Sequence, residues 1–238
     1  MPRGAYLLDL REPVPYVEAW DVQRSLAAAV SQGAMPETIM LLEHPPVVTL
    51  GRRADGEREL HVPDGAEVDV VETDRGGKST FHGPGQLVAY PILDLTRHGR
   101  DVKEYVRGLE VALLRTLASF GIESTTIDGL TGVWLHSPPR KIASIGVHVS
   151  RWVTTHGYAL NVDLDPAPFT EWITACGLED AAFTTMAREL GRPLSVDDVR
   201  PHAAAALAEV FDLALEPIPA DEGHGLWPQP LHARLARA

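Results

Sequence analysis

The chain has one cysteine, Cys176, in the stretch ITACGLED over residues 173–180. One thiol cannot close an intrachain disulfide, so it either packs as a small hydrophobe or reacts. As a nucleophile it would work as the thiolate, which a neighbouring ammonium favours. Lysine is scarce: of 21 basic residues only Lys78, Lys103 and Lys141 are lysines. A lysine can shift its pKa and move a proton, whereas arginine effectively cannot. Lys141 opens RKIASIGVHV (140–149), an otherwise apolar run in which Ala143, Ser144 and Gly146 are small. Such a lysine suits a strand entering over a cavity; it equally suits an edge strand guarded against pairing. The densest stretch is DRGGKSTFHGPGQLVAY (74–90), with Gly76, Gly77, Gly83, Pro84 and Gly85 inside ten residues. Glycines let backbone approach a ligand closely and reach positive φ. The spacing fits neither a Walker A loop nor a dinucleotide fingerprint. It is a binding loop carrying Arg75, Lys78 and His82, or a glycine-rich hairpin with incidental charges. The ten histidines are scattered, with no HxxxH or HExxH pair to suggest a metal site. His82 is a rival to Lys141 as a base for Cys176.

Those residues need elements to position them. AYLLDL (5–10), TIMLLEH (38–44) and VVTLG (47–51) read as strands, as do EVDVVETD (67–74) and QLVAYPILDL (86–95). Pro91 marks the last as an edge or a bulge. Residues 132–137 and 141–163 read as a strand followed by a hairpin, with Ile142, Ile145, Val147 and Val149 toward the core. Helices are expected over 16–33, with Val17, Trp20, Leu26, Ala29 and Val30 apolar, over 102–121, and near 195–211. A short helix or turn leads to Cys176, and residues 52–66 read as a polar, mobile loop. The mixed order of elements points to an α+β fold. Residues 1–216 are expected to form one catalytic domain. Residues 217–238, rich in proline and glycine, are expected to be a loose tail.

Composition narrows the function classes. The net charge is −12, so global nucleic-acid binding is not expected. No apolar run approaches a membrane span, and the start does not read as a signal or transit peptide. A single cysteine fits a reducing compartment, so a cytoplasmic location is expected.

Taken together, RGGKSTFHGPGQLVAYPILDL (75–95), LLEHPPVVTLG (41–51), KIASIGVHVSRWVTTHGYALNV (141–162) and the late ACG (175–177) resemble the lipoyl(octanoyl) transferase family. The resemblance implies the biotin/lipoate protein ligase type of fold, a mixed β-sheet flanked by helices. It implies transfer of an octanoyl (or lipoyl) group from acyl carrier protein to a lysine of lipoyl domains, in 2-oxo acid dehydrogenases and the glycine cleavage H protein. No cofactor is implied. By motif, Cys176 matches the acyl-thioester nucleophile and Lys141 the lysine that lowers its pKa. Arg75, Gly76, Gly77, Lys78, Ser79, Thr80, Phe81 and His82 match substrate-binding positions, as do Ser144, Ile145, Gly146, Gly157, Tyr158 and Ala159. Two positions depart from the pattern: Ala175 stands where proline is common, and Tyr158 where leucine or phenylalanine is common. Docking of acidic partner proteins would need a local basic patch, for which Arg52, Arg53, Arg75, Lys78, Arg140 and Arg151 are candidates. An ATP-dependent ligase and a non-catalytic binder of acylated carriers remain open. The first is disfavoured by FHGPGQ where lipoate ligases more often show YHDxGN, the second by the presence of both Lys141 and Cys176.

Overall fold

The computed structural model describes residues 1–136, 138–174 and 182–218. Cys176 and the tail from 219 lie outside them, so neither expectation about those segments is addressed. The described residues build a mixed sheet in the order β12-β1-β2-β6-β10-β9-β8-β7, with β11 paired to β9. The strands are β1 (Arg3–Asp9), β2 (Thr38–Leu42), β6 (Gln86–Ile92), β7 (Thr125–Ile127), β8 (Leu130–Leu135), β9 (Arg140–Ser150), β10 (Val153–Asn161), β11 (Ala182–Phe183) and β12 (Leu213–Pro217). β12-β1-β2 run parallel and β2 through β7 antiparallel. A second sheet, β4-β3-β5, joins β3 (Val47–Leu50), β4 (Asp69–Glu72) and β5 (Ser79–His82).

Helix α1 (Tyr16–Ser31) covers one face of the main sheet, and α3 (Val102–Ala118) and α6 (Val196–Phe211) cover the other. Strand alternation decides which side chain goes where. Ile39, Leu41, Leu87 and Ala89 face α3 and α6, while Met40, Leu42, Val88 and Tyr90 face α1. With both faces covered, β2 and β6 are buried along their whole length and mostly apolar. The buried stripe of α1 is Tyr16, Ala19, Val22, Gln23, Leu26, Ala29 and Val30. The expected Val17 is 49% exposed, one position off that stripe. Asp101 caps α3, accepting from the Lys103 and Glu104 N–H groups. A Ser195/Asp198 capping box starts α6.

Three expectations need correction. Pro91 lies inside the sheet, on β6 between β2 and β10. A proline there removes a ladder donor, and side chains repair the gap. The Thr154 hydroxyl donates to the Pro91 carbonyl (2.6 Å) and accepts from the Leu93 N–H (2.9 Å). Gly157 makes room beside it: a Cβ there would lie 2.8 Å from Pro91 Cδ and 2.2 Å from the Ala89 oxygen. Second, residues 52–66 contain a short helix, α2 (Gly56–Glu59), and bury Glu59 to 3% exposure. Third, of the β9 positions expected in the core, only Ile142 is fully buried. Ile145, Val147 and Val149 are half-buried and pack against that core from its margin.

Candidate active site

The glycine loop joins β4 to β5 and is tied down on two sides. Arg75 is buried, and its guanidinium donates to the Thr49 carbonyl (2.7 Å), the Thr49 hydroxyl and the Gly76 carbonyl. The Gly76 N–H donates to the Val147 carbonyl of β9 (2.9 Å), which joins the small sheet to the large one. This approach needs a glycine opposite, since a Cβ on Gly146 would stand 3.0 Å from the Gly76 oxygen.

Below the loop is a cavity walled by Arg75, Gly77, Lys78, Thr80 and His82 on one side. Ser144 to Gly146 and Gly157 to Ala159 form the other. The last two segments are cross-strand partners, with Ser144 opposite Ala159, Ile145 opposite Tyr158 and Gly146 opposite Gly157. The β9–β10 hairpin brings them together, and its turn at Arg151 and Trp152 has φ of 49° and 67°, as a type I′ turn requires. Strand alternation in β5 sends Thr80 and His82 into the cavity and turns Ser79 and Phe81 away. Phe81 packs with Phe169 and Trp172, and Ser79 bonds Glu59. Gly76 lines an adjoining cavity of about 350 Å³, which shares Gly77, Lys78, Lys141, Ile145 and Gly146 with the first.

Lys141 lies where the two cavities meet and is 3% exposed. On β9 it faces Trp134 of β8, with its Nζ 5.2 Å from the indole centroid, within cation–π range. On the other side it pairs with Phe183 of β11. Gly132 makes the placement possible, because a Cβ there would meet Lys141 Cε at 2.8 Å.

The chain leads toward Cys176 through residues 172–174, and these are anchored. The His61 N–H donates to the Trp172 carbonyl (2.7 Å), and the Thr174 N–H to the Glu59 carbonyl (3.0 Å). The Ser79 hydroxyl lies 2.8 Å from Glu59 Oε2 and 3.2 Å from the Thr174 carbonyl. Lys78 forms an ion pair with Glu59 (3.0 Å). Burial alone would raise the Glu59 carboxyl, but hydrogen bonds from Ser79 and Lys78 outweigh it and hold it below the usual carboxylate range. Of the six cations suggested for docking, Arg75 and Lys78 are engaged within the site and Arg140 is paired with Glu189. That leaves Arg52, Arg53 and Arg151 as the outward candidates.

A buried cluster of histidine and tyrosine flanks the cavity, and sequence reading missed it except for His82. His44 Nδ1 lies 2.6 Å from the Val14 carbonyl, and Nε2 lies 2.8 Å from the Tyr90 hydroxyl. The carbonyl can only accept, so Nδ1 carries the proton and Nε2 receives the Tyr90 O–H. His82 Nδ1 bonds Gln86 (2.8 Å). Tyr16 bonds His156 Nδ1 (3.1 Å), and His156 Nε2 bonds Asp74 (2.7 Å). Burial lowers His44 to about 4, holds His82 well below its usual value, and lowers His156 despite Asp74. Burial also pushes Tyr16 up to about 12. Near neutral pH these rings are uncharged, so the cluster adds hydrogen-bonding groups to the wall without adding positive charge. Positions 16, 44, 82, 90 and 156 share no sequence spacing, and only the fold unites them.

Comparison with known proteins agrees with this architecture. The family model described as the lipoyl protein ligase A/B catalytic domain matches residues 15–208. A protein of Chloroflexus aurantiacus named octanoyltransferase is 48% identical over 210 residues, covering 86% of this chain and 92% of its own. One of Mycobacterium tuberculosis with the same name is 50% identical over 210 residues, covering 86% and 87%. Among solved structures, a lipoate-protein ligase A bound with ATP superposes with a TM-score of 0.75 at 14% identity, covering 98% of this chain and 93% of that one. A Thermoplasma acidophilum structure titled a putative lipoate protein ligase with bound lipoic acid gives 0.74 at 14%, covering 98% and 93%. These likenesses establish the α+β fold of the lipoate ligase type. With a family model across most of its length and relatives at half identity, the chain belongs to the family of the lipoyl protein ligase A/B catalytic domain.

Proposed function

We propose that the chain is an octanoyltransferase of protein lipoylation. It takes the acyl group as a thioester from acyl carrier protein, holds it on Cys176, and delivers it to a lysine of a lipoyl domain. The observation that carries this reading is Lys141, buried where the two cavities meet among the motif segments. The names of the half-identical relatives support it. Residues 1–216 act as the catalytic domain, and the setting is the cytoplasm. Among the described residues no helix is long and apolar enough to cross a membrane.

The chemistry is economical. Exchange of thioester for thioester is nearly balanced, and thioester to amide runs downhill, so no nucleotide is required. Lys141 favours the thiolate of Cys176 and exchanges protons as the acyl group arrives and leaves. The apolar cavity wall takes the acyl chain, whose burial is worth roughly 5 kcal/mol at ~0.8 kcal/mol per CH₂, before ordering costs.

Intact-protein mass after mixing with octanoyl-acyl carrier protein, without ATP, tests the reading beside Cys176→Ser. A hydroxylamine-labile octanoyl adduct absent from the variant is expected. No adduct, together with ATP-dependent transfer of free fatty acid to a lipoyl domain, would replace the transferase with a ligase.

A further inference from the structure

We propose that His156 and Asp74 form the exit by which the proton released during amide formation leaves the buried cavity. The inference rests on the acyl-transfer reading above and concerns only its second half.

Proton balance creates the need. In the first half-reaction a carrier thioester and the Cys176 thiol become an enzyme thioester and a carrier thiol, with no net proton. In the second, the C–S bond breaks and a C–N bond forms to a lysine that arrives mostly as ammonium, given its pKa near ~10.4. That nitrogen gives up two protons. One ends on the Cys176 sulfur, and the other must reach solvent while the acceptor protein is docked over the site.

The geometry supplies a route. His156 lines the inner cavity, together with Lys141. Asp74 lines a different, outward cavity of about 260 Å³ between α1 and the β9–β10 hairpin. The two side chains are 2.7 Å apart, so two residues connect the inner cavity with a second one that opens elsewhere on the surface. A carboxylate only accepts, so His156 carries its proton on Nε2 and offers Nδ1, which faces the Tyr16 hydroxyl, to the inner side. A proton arriving at Nδ1, directly or through Tyr16, displaces the Nε2 proton onto Asp74, which is 40% exposed and releases it to water.

The placement of His156 is costly and maintained. Its φ is +57°, an uncommon conformation for a residue with a side chain. The buried Gln23 of α1 holds it there, accepting from the His156 N–H at 2.6 Å.

The charged and titratable groups facing this pair are Tyr16 from α1, Arg75 from the glycine loop and His148 from β9, whose Nε2 is 3.6 Å from Asp74. His44, His82 and Tyr90 lie beyond, and Arg24 and Arg151 line the outer cavity.

The test follows the two half-reactions separately by mass, for the full chain, Asp74→Asn and Asp74→Glu, with octanoyl-acyl carrier protein and then a lipoyl domain. Acyl acquisition is expected to stay within about twofold in Asp74→Asn, while delivery to lysine falls roughly tenfold or more at pH 7. That defect should shrink as pH rises and the acceptor amine loses its proton before docking. Asp74→Glu should recover most of the rate. Equal rates in both steps, a loss shared by both steps, or a defect indifferent to pH would overturn the exit while leaving the transferase reading intact. Failure of the unaltered protein to acquire the acyl group would overturn that reading instead.

Discussion

Glu59→Gln is the most informative perturbation away from the reacting groups. The carboxylate receives the Ser79 N–H at 3.1 Å, the Ser79 hydroxyl at 2.8 Å and Lys78 at 3.0 Å. A hydrogen bond to a charged group is worth about 1 kcal/mol more than a neutral one. Two such bonds count nearly in full because Glu59 is buried, but the Lys78 contribution is discounted because that side chain is 41% exposed. The expected loss is about 2 kcal/mol, or a fall in Tm of roughly 4–8 °C for a chain of this size. The pH dependence fixes the cause. The folded carboxyl is held below its usual value, so its contribution is present above the unfolded pKa of about 4.3 and lost as pH falls through the folded one. Urea unfolding of both proteins at pH 7 and below pH 4 provides the check. The curves should be separated at pH 7 and converge in acid. Coincident midpoints at pH 7, or a gap that persists in acid, would refute the reasoning.

Lys141→Met retains most of the buried volume, so its free energy of unfolding in urea should change by less than about 1 kcal/mol. Single-turnover transfer to a lipoyl domain should fall by about 10²–10⁴. Gly157→Ala would place a Cβ 2.2 Å from the Ala89 oxygen inside the sheet and should cost about 3 kcal/mol or more, read as soluble yield and urea midpoint. Gly4→Ala, with nothing within 4 Å, is the neutral control. Arg200 is fully buried and bonds Asp9 at 2.7 Å. Arg200→Met should cost about 3 kcal/mol by urea unfolding, the low end for breaking a buried pair, because Arg11 also reaches Asp9 at 2.8 Å.

What sequence could show depended on how local the cause was. The β9–β10 hairpin was legible because its apolar alternation and turn are contiguous. The glycine loop was legible because five conformationally special residues fall within ten. Pro91 misled because the repair comes from Thr154, and the space from Gly157, both more than sixty residues away. Glu59 looked like a loop residue because its partners at 78 and 79 are donors on another element. The histidine–tyrosine cluster draws on α1, the turn after β2, β5, β6 and β10, and no window of sequence contains it.

The poverty in lysine acquires a sense once the side chains are placed. An enzyme that carries an activated acyl group and gives it to amines is a hazard to itself. Of its three lysines, Lys141 is the one built into the site, beside the Trp134 ring, and Lys78 is held in an ion pair with a buried carboxylate. Lys103 stands exposed at the start of α3. Elsewhere the surface positive charge is arginine, whose guanidinium stays protonated and is a poor acyl acceptor. On the proposed chemistry, this choice of cation spares the protein from self-acylation and leaves the acceptor's lysine with few rivals.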